Sequence, residues 1–272
     1  MALNSNIADK KYRKLVIQAG LDGFSFAVTD TLNQQVLTFR EVTFADFTKT
    51  NKIEDYYWKA FLEHRELTRM YDEVVVIHDN NLNAFVPLAL FDEQFLGSYL
   101  QYNTKVFETD FFTYDALPNQ EMNNVYVPYA NINNYLLDQF ESFDYKHYSS
   151  ILVEKLLLQS KNIDDKQVFV NFGKGKFDII VVQNQKLLLF NTFECSTKED
   201  FIYYLLFVAE QLQLNPEYFK LQLLGAITED DAFYQIAYKY VRNVSLFDIS
   251  KLQQHNTFST ADNLKHFILF QS

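Results

Sequence analysis

Four of the six glycines stand in two pairs at the tips of predicted hairpins, where glycine backbones can bind phosphate. The four are Gly20, Gly23, Gly173 and Gly175. Without a Cβ, glycine lets the backbone approach an anion closely and direct N–H groups at it. Tight hairpins also require glycine for local reasons, and Asp22-Gly23 is an ordinary turn pair. The spacing therefore leaves two interpretations open, namely two phosphate-binding loops or two plain hairpins.

Charged side chains flank both glycine pairs. Lys174 and Lys176 stand on either side of Gly175, where they are either point charges for phosphate oxygens or solvated hairpin residues. Asp22 offers a carboxylate from the first turn, although Asp is also a common turn residue. The candidate phosphate-binding set is Gly20, Asp22, Gly23, Gly173, Lys174, Gly175 and Lys176.

Other catalytic chemistry finds little support in the sequence. The five histidines lack the spacing of a zinc site. His147 precedes Ser149 and Ser150, but no Gly-x-Ser-x-Gly motif surrounds either serine, so we expect the serines to cap a helix over residues 151–158. Cys195 lies at a predicted strand-to-helix junction and is either reactive there or a buried inert thiol. The sequence predicts no catalytic residue and no metal ligand.

Composition limits the class of protein. Apolar residues make up 48% of the 272 residues, and 27 Phe and 18 Tyr supply large side chains for a packed core. A net charge of -11 repels nucleic-acid phosphates, so nucleic-acid binding is not expected. A single cysteine excludes an internal disulfide. Residues 1–14 lack the pattern of a targeting signal, and no apolar stretch has the length of a membrane span. We therefore expect a cytoplasmic globular protein.

The glycine hairpins belong to two similar three-stranded segments. The alternating and apolar runs predict strands over residues 15–20, 24–29 and 36–42, and again over 168–173, 177–182 and 187–193. Gly20 aligns with Gly173, and Phe24 aligns with Phe177 at the same separation. Matching turns in matching order favour an internal duplication over chance similarity.

An amphipathic helix follows each three-stranded segment. Apolar side chains share one face over residues 53–67 and again over residues 201–212. Both helices have a capping signal, in which a short polar side chain stands three residues before a carboxylate. The capping pairs are Asn51 with Glu54 and Ser196 with Glu199.

The later elements also follow one order in both halves. We predict strands over residues 73–77 and 220–224, then helices over residues 92–101 and 229–241, the last behind a Thr228/Asp231 cap. Closing strands are predicted over residues 106–114 with 125–127, and over 244–247 with 267–270. This order gives an α/β protein of two tandem β-β-β-α-β-α domains, residues 1–143 and 144–272.

Two tandem units of this order resemble the actin-like ATPase fold, in which two ribonuclease-H-like domains face each other across a cleft. The chain is more closely similar to an uncharacterised family of that fold, a domain of unknown function typical of Bacteroidetes. The segments that carry this resemblance are VPLALF (86–91), YLQYN (99–103), VYVP (125–128) and HYSSIL (147–152). The resemblance covers nearly the whole chain but carries little information on function.

The resemblance implies a nucleotide site and also departs from it. In actin-like ATPases the two hairpins clamp the nucleotide phosphates, and an Asp on the first strand of each domain positions metal and water. The matching positions are Gln18 and Asn171, and an amide lacks the charge that holds a divalent cation. Asp79 fits a water-positioning role or an ordinary exit loop. Gly225 stands where related ATPases have a glycine pair for adenosine, so it is the one adenosine-binding candidate.

These departures favour a non-catalytic protein that acts through an unidentified protein partner. No cofactor is expected under this hypothesis, although ATP and magnesium remain possible. The alternative is a protein that binds ATP or hydrolyses it slowly. A ribonuclease-H-type nuclease fits least, because its first strands would need clustered acids for two metals. Residues 1–143 hold 11 Lys and Arg against 20 Asp and Glu, which favours a basic partner or serves solubility.

Overall fold

The structure is a computed structural model that describes residues 10–44, 52–107, 109–251 and 255–272. Its secondary structure divides into two five-stranded sheets with helices on both faces, and a smaller three-stranded sheet. Within the described residues, no helix combines the length and the apolar character needed to cross a bilayer.

Among the described residues, the first unit contains five strands and three α-helices of its own, and an insertion of three strands and one helix. In chain order the elements before the small sheet are β1 (Arg13–Ala19), β2 (Gly23–Asp30), β3 (Gln35–Thr43), α1 (Ile53–Glu63) and β4 (Glu73–His78). The small sheet follows as β5 (Asn83–Pro87), α2 (Leu96–Leu100), β6 (Thr113–Leu117) and β7 (Met122–Tyr126). The unit then ends with α3 (Ala130–Phe140), β8 (Asp144–His147) and α4 (Tyr148–Gln159).

The second unit repeats this order without the small sheet. Its elements are β9 (Gln167–Gly173), β10 (Lys176–Gln183), β11 (Lys186–Glu194), α5 (Lys198–Gln211), β12 (Lys220–Gly225), α6 (Ala232–Tyr240), β13 (Asn243–Leu246), α7 (Thr260–Lys265) and α8 (Phe267–Gln271). The small sheet, with α2, is thus an insertion between the fourth strand and the following helix of the first unit.

The two large sheets have the same strand order. The first runs β3-β2-β1-β4-β8 and the second runs β11-β10-β9-β12-β13. In each sheet the first three strands are antiparallel and the last two pairings are parallel. Equal order in both sheets is what a duplication would produce, and the duplication itself remains a prediction. The predicted division at residue 143 falls just before β8, which nevertheless pairs with β4 in the first sheet.

The central strands are apolar on both faces because both faces are covered. In β1, Leu15 and Ile17 pack under α1 and α3, whereas Val16 points to the opposite side. In β9, Val170 packs under α5 and α6, and Phe169 points to the opposite side. Strands buried on both sides form continuous apolar runs in sequence, which is why these segments were predictable.

Helices α4 and α8 lie between the two sheets. Leu152 and Leu156 of α4 share one apolar cluster with Val16 of the first sheet, Ile180 of the second sheet and Phe270 of α8. All five residues of α8 are buried, so its sequence is apolar all round rather than amphipathic, whereas α4 keeps one strip with Glu154, Lys155 and the exposed Leu158 outside the cluster. This shared cluster joins the two units into one body.

Several predicted elements differ from the structure, either because a segment is buried on all sides or because an insertion interrupts the order of elements. Residues 267–270, predicted as a strand, form α8, because a short apolar run that is buried all round does not distinguish strand from helix. The helix equivalent to α6 is α3, which the sequence analysis did not identify. The predicted helix over 92–101 and the predicted strand over 125–127 overlap α2 and β7 of the insertion. The predicted strand over 106–114 is wrong for most of its described length, since only residues 113 and 114 lie in a strand, β6.

The helix starts also shift from their predicted positions. Thr197 caps α5 and forms a capping box with Asp200, one residue beyond the predicted Ser196/Glu199 pair. Asp231 caps α6 by accepting a hydrogen bond from the Phe233 backbone N–H. The predicted Asn51 cap lies outside the described residues.

We expect the Phe201→Ala variant to lose about 3–5 kcal/mol of unfolding free energy, because this side chain of α5 is fully buried and its removal leaves a cavity. Phe207→Ala is the matched control, since Phe207 lies on the same helix with a side chain 47% exposed, and we expect a loss below about 1 kcal/mol. Urea unfolding followed by circular dichroism measures both. Equal losses of unfolding free energy in the two variants would contradict the finding that α5 packs on the core with the face that carries Phe201.

Candidate functional site

The two glycine hairpins face each other across the junction of the units. Gly20 and Asp22 form the turn between β1 and β2, and Lys174 and Gly175 form the turn between β9 and β10. The Lys174 ammonium donates to the Asp22 carboxylate, so an ion pair joins the two tips. Both side chains are largely exposed, and screening by water keeps the contribution of such a pair small.

A second ion pair lies deeper between the hairpins. The Lys176 Nζ lies 2.8 Å from Asp79 Oδ1, and the Gln18 amide donates to Asp79 Oδ2 at 2.8 Å. Lys176 begins β10 in the second unit, whereas Asp79 directly follows β4 in the first. The Lys176 side chain is 21% exposed and the Asp79 side chain 31% exposed, so water screens this pair less than the pair at the tips.

A buried carboxylate completes the deeper cluster. Asp178 on β10 is 1% exposed and accepts hydrogen bonds from Tyr148 at 2.8 Å, Thr192 at 2.7 Å and Asn171 at 3.0 Å. Burial raises the pKa of Asp178, while Lys176 and these three donors oppose the rise. Asp178 was not among the residues predicted from the sequence, because it lies directly opposite Asn171 on the neighbouring strand rather than on the first strand of the unit.

Lys176 occupies the centre of this cluster. Its ammonium lies 4.4 Å from the centroid of the Tyr148 ring, on the face where a cation is attracted by the aromatic quadrupole. Burial lowers the pKa of Lys176, but the carboxylates of Asp79 and Asp178 outweigh burial and leave the pKa above its ordinary value. Lys176 is therefore a fixed positive charge between one carboxylate from each unit.

The polar groups at the cleft have one another as partners. Gln18 and Asn171 are amides that donate to carboxylates, and the Asp79 carboxylate already has an ammonium and an amide as partners. A divalent cation prefers several charged or carbonyl oxygens. Within the described residues, no group of three or more His, Cys, Asp and Glu side chains is arranged to hold a metal ion.

The remaining glycine candidates take different places. Gly23 begins β2 and Gly173 ends β9 beside the two tips. Gly225 ends β12 with a φ of +87°, and a Cβ there would lie 2.2 Å from the Phe172 carbonyl oxygen. Glycine is thus required at 225 by the close approach of β12 to β9. This packing reason exists whether or not adenosine binds there.

The serines predicted to cap a helix do not cap it. His147 is the N-cap of α4, and its ring accepts from the Ser149 backbone N–H at 3.3 Å, so Ser149 and Ser150 lie inside the helix. The His147 Nδ1 and the Ser149 Oγ are 2.6 Å apart, but both residues are fully buried. A substrate cannot reach a hydroxyl buried in this way, so the pair does not act as a nucleophile and base.

Ser149 and Ser150 instead hold the inserted sheet against α4. Asn83 of β5 donates to the Ser149 Oγ at 3.0 Å, and Asn124 of β7 donates to the Ser150 Oγ at 2.8 Å. The two amides also bond each other at 2.9 Å. Buried polar groups joined in this way fix the relative position of the elements that carry them.

Cys195 does not have the surroundings of a reactive thiol. It follows β11, and its Sγ lies 2.9 Å from the Thr197 backbone carbonyl. Burial raises the pKa of the Cys195 thiol, which lowers the fraction of the nucleophilic thiolate. The inert interpretation is the one that this geometry favours.

The two ion pairs should differ in their contribution to stability. We expect Lys176→Met to lose about 2–4 kcal/mol of unfolding free energy, because it leaves Asp79 and the buried Asp178 without their cation. Lys174→Met removes the exposed pair and should lose less than about 1 kcal/mol. Urea unfolding at pH 7 compares the two variants. A Lys174→Met loss as large as that of Lys176→Met would contradict the central place of Lys176.

His78 predicts a loss of stability in mild acid. Burial lowers its pKa to about 4, against a side-chain hydrogen bond with Asn133 that favours the charged form. The unfolded chain binds the proton near pH 6.5 and the folded chain does not, so stability falls as the pH drops from 6.5 towards 4. Between pH 7 and pH 5 we expect His78 to account for about 2 kcal/mol of this loss.

Urea unfolding of wild type and His78→Gln at both pH values tests this expectation. The variant should have the smaller difference between pH 7 and pH 5, because Gln does not titrate. An unchanged difference would mean that His78 does not remain neutral in the folded chain.

Comparison with known proteins agrees with this architecture. The family model described as "Protein of unknown function (DUF3822)" matches residues 3–244. A protein from Bacteroides thetaiotaomicron VPI-5482 with actin-like ATPase fold and unknown function is similar over 98% of this chain and 98% of its own, with 23% identity and a TM-score of 0.81. A chain of the PilM-PilN type IV pilus biogenesis complex is similar over 94% of this chain and 96% of its own, with 14% identity and a TM-score of 0.58.

No curated protein matches the chain. The predicted fold class is confirmed: the chain has the α/β, two-domain arrangement of the actin-like ATPase fold. The likeness to solved structures establishes the fold and leaves the activity open.

Proposed function

We propose that the chain, which belongs to the DUF3822 family of proteins of unknown function, is a non-catalytic member of the actin-like ATPase fold that acts by binding another protein. The proposal has two parts, the loss of nucleotide chemistry at the cleft and the use of the two-domain body as a binding scaffold.

The observation that carries the first part is the pair of ion pairs between the hairpins. Lys174 and Lys176, the two cations nearest the expected phosphate position, are bound by Asp22 and Asp79 of the opposite unit. A phosphate would have to displace both carboxylates, and it would meet their negative charge at short range. The amides at Gln18 and Asn171 add no charge for a metal that could offset this repulsion.

The second part is supported by the rigidity and the surface of the molecule. The Lys176 contacts and the shared cluster around α4 tie the two units together, so the cleft is not arranged to open around a ligand. The similar chain from the PilM-PilN complex has a related fold and belongs to a complex with another protein. A closed two-domain body that presents its outer surfaces to a partner fits both observations.

ATP binding remains the alternative, and one observation favours it. Gly175 has a φ of +68° with open space around the position of a Cβ, and the neighbouring Lys174 side chain is 76% exposed. An anion could approach this tip without displacing buried groups. The exposed pair with Asp22 is weak enough to be exchanged for a phosphate.

A thermal melt with magnesium ATP separates the two functions. With Kd no better than about 1 mM, 1 mM ATP should stabilise the fold by at most about 0.4 kcal/mol. This corresponds to a Tm shift of about one degree for a chain of this size. Lys174→Ala should melt with the same small shift, as should the control Lys161→Ala, which lies outside both hairpins.

Phosphate release, measured on the same samples, should equal that of buffer alone. A wild-type shift of several degrees that disappears in Lys174→Ala but persists in Lys161→Ala would overturn the non-catalytic proposal in favour of ATP binding.

A further inference from the structure

Two strand edges without a strand partner in the described structure face the same groove. One belongs to β5, the outer strand of the inserted sheet, and the other to β11, the outer strand of the second unit. The groove between them has a volume of about 740 Å³ and is lined by both strands along most of their length. We call this groove the strand slot, defined by residues 83–87 and 186–192.

The hydrogen-bond pattern of β5 directs backbone groups into the strand slot. The Val127 N–H donates to the Leu82 carbonyl at 3.0 Å, and the Leu88 N–H donates to the Glu121 carbonyl at 2.8 Å. Bonded pairs alternate along an antiparallel ladder, so residues 84 and 86 bond to β7. The N–H and C=O groups of Asn83 and Phe85 therefore point away from β7, to the outer edge.

The outer edge of β11 also directs backbone groups into the strand slot. The Cys195 N–H donates to the Gly175 carbonyl at 3.0 Å, and the register continues regularly to the pairing of Ile180 with Phe190. Residues 191 and 193 therefore bond to β10, and the backbone groups of Phe190 and Thr192 point to the outer edge. The β5 wall thus offers a donor and an acceptor at Asn83 and at Phe85, while Pro87 offers only an acceptor. The β11 wall offers both at Phe190 and at Thr192, on the regular side of the bulge at Leu188.

The floor and rim of the strand slot fit a mixed apolar and polar segment. Phe85 and Phe190 meet edge to face at its floor, with ring centroids 5.1 Å apart. Leu188 lines the groove with 39% of its surface exposed. Of the lining residues, only Glu121 and Lys186 are charged. In a chain of net charge -11, this makes the groove a nearly neutral region.

We infer that the strand slot binds an extended, uncharged peptide segment of another protein, which pairs with β5 or β11 as an added strand. This inference rests on the proposed interaction function and names the kind of partner. Main-chain hydrogen bonds would supply affinity, and alternate side chains facing Phe85 and Phe190 would supply specificity. The length of β5 sets a segment of five to six residues, about 17 Å long.

The two walls select this occupant over others. An α-helix bonds its own N–H and C=O groups internally and is about 10–12 Å wide, so it satisfies neither wall. A folded second copy would bring an edge strand that still carries its own sheet, and that sheet would have to enter between the two walls together with the strand. A flexible segment of a partner protein has free N–H and C=O groups for a wall and carries no sheet of its own.

Selection of random linear octapeptides displayed on phage against the whole chain supplies the probe. We expect selected peptides to alternate apolar and polar residues. Fluorescence anisotropy then measures their affinity for wild type, for Leu188→Arg and for the control Leu137→Arg, which replaces a leucine 45% exposed on α3. Leu188→Arg should weaken binding at least 10-fold, and Leu137→Arg should change it less than 2-fold, which corresponds to at least about 1.4 kcal/mol against less than about 0.4 kcal/mol.

Two further measurements report on the backbone pairing itself. Methylation of those peptide nitrogens whose N–H groups donate to the wall should weaken binding at least 10-fold, because it removes the donor and leaves every side chain the same. Methylation of the intervening nitrogens should have a smaller effect. Hydrogen exchange should slow at the amides of Phe190 and Thr192 or of Asn83 and Phe85 when the selected peptide is bound. A melt of Leu188→Arg within two degrees of wild type confirms that the variant is folded.

Other outcomes overturn the inference. These are selection of no peptide, peptides indifferent to Leu188→Arg and to methylation, or protection at amides outside the strand slot. A dimer in sedimentation that becomes a monomer in Leu188→Arg would assign the groove to a second copy instead. Each of these leaves the ATP measurement untouched, so failure of the strand slot and failure of the non-catalytic proposal are distinguishable.

Discussion

The arrangement of the two units depends on the contacts that the Lys176 ammonium makes across their junction. The ammonium lies between Asp79 of the first unit and the buried Asp178 of the second, with the Tyr148 ring beneath it. Two carboxylates facing one another across a junction would repel if nothing neutralised them. A lysine in this position removes the repulsion and links the units at once. A divalent cation would supply positive charge to the carboxylates of a nucleotide site, and here the lysine ammonium supplies a single positive charge to Asp79 and Asp178.

The contacts of Lys176 go together with the two amides at the cleft, Gln18 and Asn171. Once an ammonium holds Asp79, the neighbouring strand end has no need of a second acid, and Gln18 serves by donating an amide hydrogen to the free oxygen. Asn171 does the same for Asp178. Each carboxylate therefore has donors from both sides, and each amide has an acceptor. The hydrogen-bond inventory of the deeper cluster closes without a ligand, which is why we place function on the outer surfaces.

Much of the fold followed from sequence because local signals agree with tertiary packing there. The strands around Gly20 and Gly173 are apolar on both faces, and the first helix of each unit has one apolar face. The signals failed where burial is complete, as at residues 267–270, or where an insertion interrupts the order, as at α3. The candidate site was predictable in part. Hairpin glycines and lysines indicate the two tips in the sequence. The contact of Asp178 with Asn171 depends on the pairing of β10 with β9, and register is a property of the folded sheet.

The strand slot also depends on contacts between separate parts of the chain. In the described residues, its two walls belong to different sheets that do not pair with each other. Their spacing is set through α4, which contacts both. On one side the Ser149 hydroxyl bonds Asn83 of β5, and on the other the Tyr148 hydroxyl bonds Asp178 of β10, the strand that carries β11. Adjacent residues at the start of one helix thus fix the wall of the slot and the charge cluster of the cleft. A change that moved α4 would therefore alter both.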